Sequence, residues 1–198
     1  MERFAEAAEA LLETKTFEEI SIQDIVRRAE RPIGSFYARF GSKEALLPFL
    51  YQRYHQRLDT MFSDQLGRVD WQALDFAGSV RAIVDFILAG YEERPGLLRA
   101  LVLFARLRPE ALPAELVSQR RRTYAQPIAI LARHRAHIAH DDPEAAIRFG
   151  VFLVSSIARE RLLFANMPLA RVTAIGRDSL RAELVRALHA YLTCEAPR

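Results

Sequence analysis

Basic side chains concentrate in one short stretch of the chain. Residues 27–43 contain one acidic residue, Glu30, and five basic ones, which are Arg27, Arg28, Arg31, Arg39 and Lys43. The stretch carries a net charge of +4, and the whole chain carries only +3, so the remaining residues together carry −1. A local excess of positive charge attracts the phosphate backbone of nucleic acids. A solvated helix face is the alternative explanation.

The expected position of Lys43 favours phosphate binding. The sequence predicts a helix that Ser42 opens, which places Lys43 in its first turn. A cation there is disfavoured by the helix macrodipole. A bound phosphate would reverse this effect, because the exposed amide groups and the lysine would then face the same anion.

Two short helices must position these side chains. Apolar residues at positions 22, 25, 26 and 29 follow Ser21 with helical spacing, and Asp24 can complete a capping box with Ser21. Pro32 ends this pattern and suits the start of a new helix, on which positions 33, 36, 37 and 40 form a second apolar series. Packed against a third helix, this pair predicts a helix-turn-helix.

Residues 34–47, GSFYARFGSKEALL, resemble the end of the recognition helix and the start of the fourth helix in TetR-family transcriptional regulators. Residues 21–29 are similar to the second helix of that family. The match is sharp over roughly the first quarter of the chain, and the remainder agrees in length and helical content. The resemblance implies a dimeric DNA-binding regulator whose C-terminal domain senses a small molecule.

The resemblance also implies a set of DNA-contacting residues. Ile33 and Ser35 should face the major groove, and Gly34 should allow close approach to the DNA backbone or to a packing partner. Tyr37, Arg39 and Lys43 match phosphate-contacting positions of the family, and the further candidates are Gln23 for phosphate and Arg31 for bases. Alternatively, Ile33 and Tyr37 are core residues, Gly34 is a tolerated helix glycine that costs about 1 kcal/mol, and Ser35 is an ordinary surface residue. Phe36 and Phe40 are expected in the core.

Three features depart from the family pattern. Glu30 stands where the family usually has glycine, and Arg31 stands where it usually has a buried aliphatic residue. The stem of Arg31 would then have to lie on the core. The basic N-terminal arm that often precedes the first helix is almost missing: either the start is truncated or the protein binds without an arm.

The remaining chain reads as long helices separated by glycine, proline and aspartate clusters, with no strand-like alternation. We therefore predict an all-α fold of about nine helices, with kinks at Pro48 and Pro127. The expected domains are 1–46 for DNA binding and 47–198 for effector binding and dimerisation. The predicted helices are Arg3–Lys15, Ser21–Ala29, Ile33–Phe40, Ser42–Leu66, Trp71–Glu92, Gly96–Leu107, Pro113–Ala139, Pro143–Ala165 and Arg171–Thr193.

The last two helices are the candidate dimer interface. The final helix carries an apolar stripe, and the preceding helix is apolar nearly all round between Phe149 and Ile157, so it must be buried on more than one side. An internal core helix is the alternative. The predicted interface residues are Phe152, Leu180, Leu184, Leu188 and Tyr191. The effector should contact Tyr91, Phe104, Tyr124 and Ser156, although most aromatic residues of the middle helices are expected in the core.

Enzymatic and metal-binding interpretations find little support. Cys194 is the single cysteine and has no positioned base near it, and no disulfide can form within the chain. His134, His137 and His140 do not share one helical face, so we expect a surface cluster in which protonation is favoured. We expect no catalytic residue, no cofactor and no metal site. The chain shows neither an apolar signal core nor a membrane span, and we expect a cytoplasmic protein.

Two functions remain open at this point. The first is a sequence-specific regulator, most often a repressor, which leaves a palindromic double-stranded operator when a small apolar or aromatic effector binds. The second is a helical ligand-binding or interaction protein of the same fold with weak or lost DNA binding. Glu30 and the missing arm motivate the second function.

Overall fold

A computed structural model describes residues 1–111 and 114–194, and all regular elements in that part of the chain are helices. Short 3-10 helices lie at Pro109–Ala111 and Arg135–His137. The α-helices are α1 (Glu2–Leu12), α2 (Ile22–Arg28), α3 (Ile33–Phe40), α4 (Leu46–Arg68), α5 (Phe76–Glu92), α6 (Pro95–Leu107), α7 (Ala114–Ala132), α8 (Pro143–Leu163), α9 (Pro168–Val172) and α10 (Arg177–Thr193). The predicted all-α class is confirmed.

These described helices number ten, against the nine predicted. The additional helix is α9, which Pro168 begins at a position where proline is well tolerated, and the last helix then starts at Arg177 instead of Arg171. The predicted start of the seventh helix, Pro113, lies outside the described residues. Its predicted end, Ala139, is wrong, since α7 ends at Ala132.

Prolines at the two predicted kinks have different surroundings. Pro48 is the third residue of α4, because that helix begins at Leu46 and not at Ser42. A proline in the first turn removes no intrahelical hydrogen bond, so the kink predicted there has no cause. Pro127 does lie inside α7. Its kink stays a prediction.

Local hydrogen bonds fix both ends of α2. The Ser21 hydroxyl accepts from the backbone N–H of Asp24 at 3.1 Å, and the Asp24 carboxylate accepts from the backbone N–H of Ser21 at 3.0 Å. The predicted capping box is therefore confirmed. At the other end the N–H of Arg31 donates to the Val26 carbonyl at 3.0 Å, and the N–H of Glu30 donates to Arg27 at 3.2 Å. This pattern is a Schellman motif, and it places Glu30 at φ +53°.

The chain divides into two compact units. Unit 1 comprises Met1–Leu58 and Arg94–Gln119, and unit 2 comprises Asp59–Glu93 and Arg120–Arg198. Phenylalanines form the centre of the three-helix domain in unit 1: the ring of Phe4 lies 5.4 Å from that of Phe36 and 6.2 Å from that of Phe40. Phe36 and Phe40 are buried, as predicted. These contacts hold α3 against α1.

A buried carboxylate ties α1 to two later segments of unit 1. Glu9 on α1 is almost fully buried, and it accepts from Arg53 Nε at 2.9 Å and from Arg57 Nη1 at 2.8 Å. Arg94, which precedes α6, places its Nη1 3.3 Å from the same carboxylate. Gly96 brings α6 close to α1, because a Cβ atom there would lie 2.1 Å from the Leu12 carbonyl oxygen.

Unit 2 is organised around α5, α8 and α10, which pack against one another. Gly150 allows the close approach of α8 and α10, since a Cβ there would lie 2.6 Å from a methyl group of Leu188. The carboxylate of Asp85 on α5 accepts from Arg181 on α10, with Nη2 to Oδ2 at 2.6 Å. The leucines of α10 fill the seam between these helices.

This packing corrects part of the predicted dimer interface. Leu180, Leu184 and Leu188 are at most 5% exposed in the single chain, so they cannot meet a second one. The apolar stripe on α10 is an internal seam, which was the alternative explanation. Tyr191 is half-buried, and its ring packs against those of His140 and Phe149. Phe152, in contrast, is 64% exposed on α8.

Candidate nucleic-acid interface

Helix α3 has one face in the core and one face open. Phe36 and Phe40 point inward, whereas Ile33 is 44% exposed and Tyr37 is 50% exposed. Ile33 and Tyr37 are four residues apart and therefore neighbours on the helix surface. Together they form a small exposed patch on α3 with apolar and aromatic surface, which another molecule could contact. The exposure excludes the interpretation of these two residues as core.

The side of α3 that faces away from the core carries little bulk. A Cβ added to Gly34 would meet no atom of the described residues within 4 Å. Ala38, four residues later, is exposed as well. Gly34 therefore serves no packing contact of α3 within this part of the chain. It is either a tolerated surface glycine of the helix or a point of close approach for another molecule. Sequence analysis missed Ala38, although the four-residue spacing from Gly34 would have found it.

Ser35 and Arg39 make hydrogen bonds within the helix. The Ser35 hydroxyl donates to the Pro32 carbonyl at 2.6 Å, so its one hydrogen is used and its lone pairs stay available. Arg39 Nη1 donates to the Ser35 carbonyl at 2.9 Å, and the arginine side chain is exposed. Ser35 can thus accept a hydrogen bond, while most of the Arg39 donors can still reach an anion.

Lys43 does not stand where the sequence placed it. Since α4 begins at Leu46, Lys43 precedes the helix, and the argument from the macrodipole is wrong. Its ammonium donates to the carbonyls of Phe17 and Ile20, both at 2.9 Å, and lies 4.5 Å from the centre of the Phe17 ring. Lys43 therefore ties the α1–α2 loop to the start of α4, and its phosphate contact stays a prediction.

Helix α2 adds exposed polar and basic groups. Gln23 lies in its first turn, and Arg27 and Arg28 lie in its last turn, where cations are favoured by the helix dipole. The backbone N–H of Ser21, followed by its hydroxyl, holds the pKa of Asp24 below its usual value. Asp24 is consequently ionised at neutral pH, and its carboxylate already accepts the capping hydrogen bonds of α2.

The turn between α2 and α3 contains the two residues that depart from the family pattern, Glu30 and Arg31. Arg31 is exposed, so its charged head reaches water, and the placement of its stem on the core stays a prediction. Its position leaves the guanidinium free to extend from the turn. Glu30 adopts the left-handed conformation that glycine adopts most easily, and this explains why a glycine would suit the position.

The four predicted effector residues do not all belong to one unit. Phe104 lies in unit 1, and Tyr91, Tyr124 and Ser156 lie in unit 2. Tyr91 is buried, whereas Tyr124 and Ser156 are half-buried. The Ser156 hydroxyl oxygen is inaccessible and has no hydrogen-bond partner among the described residues. The effector site stays a prediction.

The histidines differ from the expected surface cluster. Nε2 of His134 lies 2.9 Å from the hydroxyl of the fully buried Ser79, and burial lowers the pKa of His134. Protonation there is therefore disfavoured, contrary to our expectation. In the described ranges, which omit 112–113 and 195–198, no group of three His, Cys, Asp or Glu side chains could hold a metal ion.

Comparison with known proteins bears on the first three helices and on the fold of the whole chain. Residues 5–48 match the family model for bacterial regulatory proteins of the tetR family. No curated protein matches the chain. Within the described residues, no helix is long and apolar enough to cross a membrane.

Several solved structures share the whole fold. The TetR-family regulator PfmR from Thermus thermophilus superposes with a TM-score of 0.63 at 21% identity, over 99% of this chain and 100% of that one. A TetR-family regulator from a Rhodococcus species gives 0.62 at 14% identity, over 96% and 97%. FadR from Bacillus subtilis, in complex with stearoyl-CoA, gives 0.61 at 13%, over 96% and 98%.

The first three helices thus form a helix-turn-helix domain. Residues 5–48 of the chain match the tetR family in this domain, and the chain as a whole has the fold of TetR-family transcriptional regulators.

Proposed function

We propose that the chain is a sequence-specific DNA-binding transcriptional regulator and that α3 enters the major groove. The observation that carries the proposal is the arrangement of α3, on which two phenylalanines anchor the inner face while Ile33, Gly34 and Tyr37 stay open. A helix presented in this way fits the width of the groove. The basic residues of α2 and of the turn then flank it.

The proposed contacts fall into two groups. Gln23, Tyr37, Arg39 and Lys43 position the protein on phosphates, while Arg31, Ile33 and Ser35 face base edges, and Gly34 permits the approach. Because the Ser35 hydroxyl already donates to Pro32, it acts as an acceptor. An acceptor in the major groove selects the amino group of adenine or cytosine. Ile33 can pack against the methyl group of thymine.

We further propose that the protein binds as a homodimer, with residues 1–46 as the DNA-binding domain and 47–198 as the effector and dimerisation domain. Phe149 and Phe152 lie three residues apart on α8, and both are exposed. Exposed aromatic residues on one helix face support an interface. A symmetric pair would place two recognition helices about 34–36 Å apart, which matches a palindromic operator.

An apolar or aromatic effector with one polar group is proposed for unit 2, with release of the operator as its consequence. Three buried polar atoms on neighbouring turns of α8 have no partner among the described residues: Ser155 Oγ, Ser156 Oγ and Arg159 Nε. Such atoms are costly unless a ligand or water satisfies them. FadR, which shares the fold, is bound to stearoyl-CoA.

TetR-family regulators are generally not enzymes, and we propose no catalytic activity for this chain. We place the protein in the cytoplasm with its DNA.

A duplex selected from a random library tests DNA binding. The selected duplex should bind the full chain tightly, and its affinity should fall steeply between two salt concentrations because counterions are released from the phosphates. Tyr37→Ala should weaken binding to all sequences alike. If no duplex is enriched, or if the bound duplex shows no salt dependence, the chain is the ligand-binding alternative and the proposal fails.

Gly34→Ala separates DNA contact from folding. The added methyl group meets open space in the protein, and alanine is the better helix former by about 1 kcal/mol, so the variant should be at least as stable as the parent chain. It should nevertheless lose about tenfold or more in affinity for the selected duplex, since it keeps α3 away from the groove. The control is Gly67→Ala, another open glycine, which should leave affinity unchanged. Equal affinity of both variants would remove Gly34 from the interface.

A further inference from the structure

A cleft of about 250 Å³ lies within unit 1, on the side of the loop that follows α1. The α1–α2 loop contributes Phe17, the segment around the start of α4 contributes Leu47, and α6 contributes the longest wall. On α6 the lining residues Ala100, Leu103 and Phe104 are apolar. The cleft thus combines an apolar wall on α6 with charged side chains around it. A small-molecule site usually pairs apolar walls with polar groups that orient the ligand.

Arg99 is the unusual residue of this cleft. Its side chain is half-buried on α6 and lines the cavity, yet it has no hydrogen bond or ion pair with any residue that the structure describes. The other arginines that contact α1, such as Arg53 and Arg57, reach carboxylates. A half-buried guanidinium without a counter-ion is a ready donor for a planar anion such as a carboxylate.

The charges around the cleft agree with an anionic occupant. Lys15, Lys43 and Arg108 also line it, so four basic residues face two acidic ones, Glu18 and Glu44. Both glutamates are exposed to water, which screens their charge, and so are Lys15 and Arg108. The half-buried Arg99 and Lys43 therefore decide the sign of the field in the cleft. Lys43 adds a partly buried ammonium that uses two of its hydrogens on backbone carbonyls. The field inside the cleft is therefore positive.

We propose that this cleft binds a small amphipathic carboxylate, with its carboxylate on Arg99 and its apolar part against Leu103 and Phe104. A bare inorganic anion would leave the apolar wall uncovered, and a molecule of nucleotide size would exceed the available volume. The site is additional to the effector residues proposed in unit 2. It does not depend on whether the chain binds DNA.

Isothermal titration calorimetry of the full chain with octanoate tests the site, with octanamide as the uncharged analogue. Octanoate should bind, and octanamide should bind about tenfold or more weakly because it forms no charged pair with Arg99. Arg99→Gln should weaken octanoate by a similar factor while leaving octanamide nearly unchanged. Leu103→Glu, a change at a partly exposed position, should weaken octanoate by charge repulsion.

The control is Arg81→Gln, which removes an exposed arginine of α5 that does not line the cleft. It should bind octanoate like the parent chain, and melting curves should show that all three variants fold. Absence of octanoate binding would overturn the proposal. So would equal binding of octanoate and octanamide, or octanoate binding that Arg99→Gln and Leu103→Glu both leave unchanged, since the ligand would then lie elsewhere.

Discussion

A single backbone torsion decides which residue is best at position 30. Glu30 lies at φ +53°, where a Cβ atom crowds the following carbonyl. Among the residues that the structure describes, it is the non-glycine residue with a positive φ. The Schellman motif that ends α2 requires this conformation, because the N–H groups of residues 30 and 31 both turn back to α2. The chain therefore pays a conformational penalty at the corner of its helix-turn-helix.

Glu30→Gly should stabilise the protein by about 1 kcal/mol, since glycine adopts the left-handed region without strain. Urea unfolding of the parent and the variant measures the difference. Glu30→Ala is the matched control, because it removes the charge and keeps the Cβ atom, and it should give no comparable gain. If both variants stabilise equally, the charge of Glu30 and not its torsion is responsible.

His134 should make stability depend on pH. Burial lowers its pKa in the folded state below the ordinary value of 6.5, so the unfolded chain binds the proton more readily. Stability is then fully present above about pH 6.5 and is lost as the pH falls through the lower pKa of the folded state.

Urea unfolding at several pH values between about 7 and 5 measures this loss. In His134→Gln the loss over the same interval should be smaller, because glutamine keeps a polar contact to Ser79 and does not titrate. An identical pH profile in the variant would assign the dependence to other groups.

Sequence could predict those residues whose partners are close along the chain. The cap formed by Ser21 and Asp24 spans three residues, and the helical period alone separates Phe36 and Phe40 from Tyr37. The contacts of Lys43 gave no such signal, because the carbonyls to which it donates lie more than twenty residues earlier. Arg99 gave no signal at all, since an unpaired arginine is recognisable only once its surroundings are known.

At the level of elements, two glycines permit close helix packing for different reasons. A Cβ at Gly96 would meet backbone atoms of Leu12 and Glu13, whereas a Cβ at Gly150 would meet the methyl end of a leucine side chain. Backbone cannot move without displacing the whole of α1. A leucine can shift or change rotamer, although at some cost in a packed core.

Gly96→Ala should therefore destabilise the protein by about 1–3 kcal/mol or more, and Gly150→Ala should cost less. Thermal and urea unfolding of the two single variants give the comparison directly. Gly67→Ala, at an open position inside α4, provides the baseline. A cost at Gly96 no larger than that at Gly150 would mean that α6 can move away from α1 easily.

Helix boundaries were predictable where proline or glycine forces them and less so elsewhere. Pro32, Pro95 and Pro143 mark starts that the structure confirms to within a residue or two. The start of α4 was misplaced because the Ser42 hydroxyl does accept from the N–H of Ala45 at 3.2 Å. That bond closes an isolated turn, and the same local pattern would also open a helix.

At the level of the whole molecule, the exposed aromatic face of α8 leads to a prediction about assembly. Phe149 and Phe152 are exposed beside the buried positions Val151 and Val154 of the same helix. The leucines of α10 that the sequence analysis assigned to the interface are already buried inside unit 2. We therefore propose that the dimer interface lies on α8.

Phe152→Glu should convert a dimer into a monomer, because a charge at the centre of an apolar contact is not compensated. Sedimentation velocity measures the mass of the parent and of the variant. Leu107→Glu, which places the same charge at an exposed leucine of α6, should leave the dimer intact. A dimeric Phe152→Glu variant would place the interface on another surface.

Sequence could predict the fold class at this level but not the composition of the two compact units. The spacing of apolar residues shows that α6 is amphipathic, yet it does not show that α6 packs on α1, about ninety residues away along the chain. That pairing depends on Gly96 and on the arginines around Glu9, whose partners are distant in sequence.

The three arginines around the Glu9 carboxylate, Arg53, Arg57 and Arg94, have a consequence for the divergence of related chains. Replacing the carboxylate alone would leave three neighbouring cations without their shared counter-ion, and replacing the arginines alone would leave a buried anion unpaired. Selection should therefore act against either substitution on its own. Positions 9, 53, 57 and 94 should therefore change together across homologues, either kept as one charged set or replaced as one apolar set. Lineages with a mixed set should be rare.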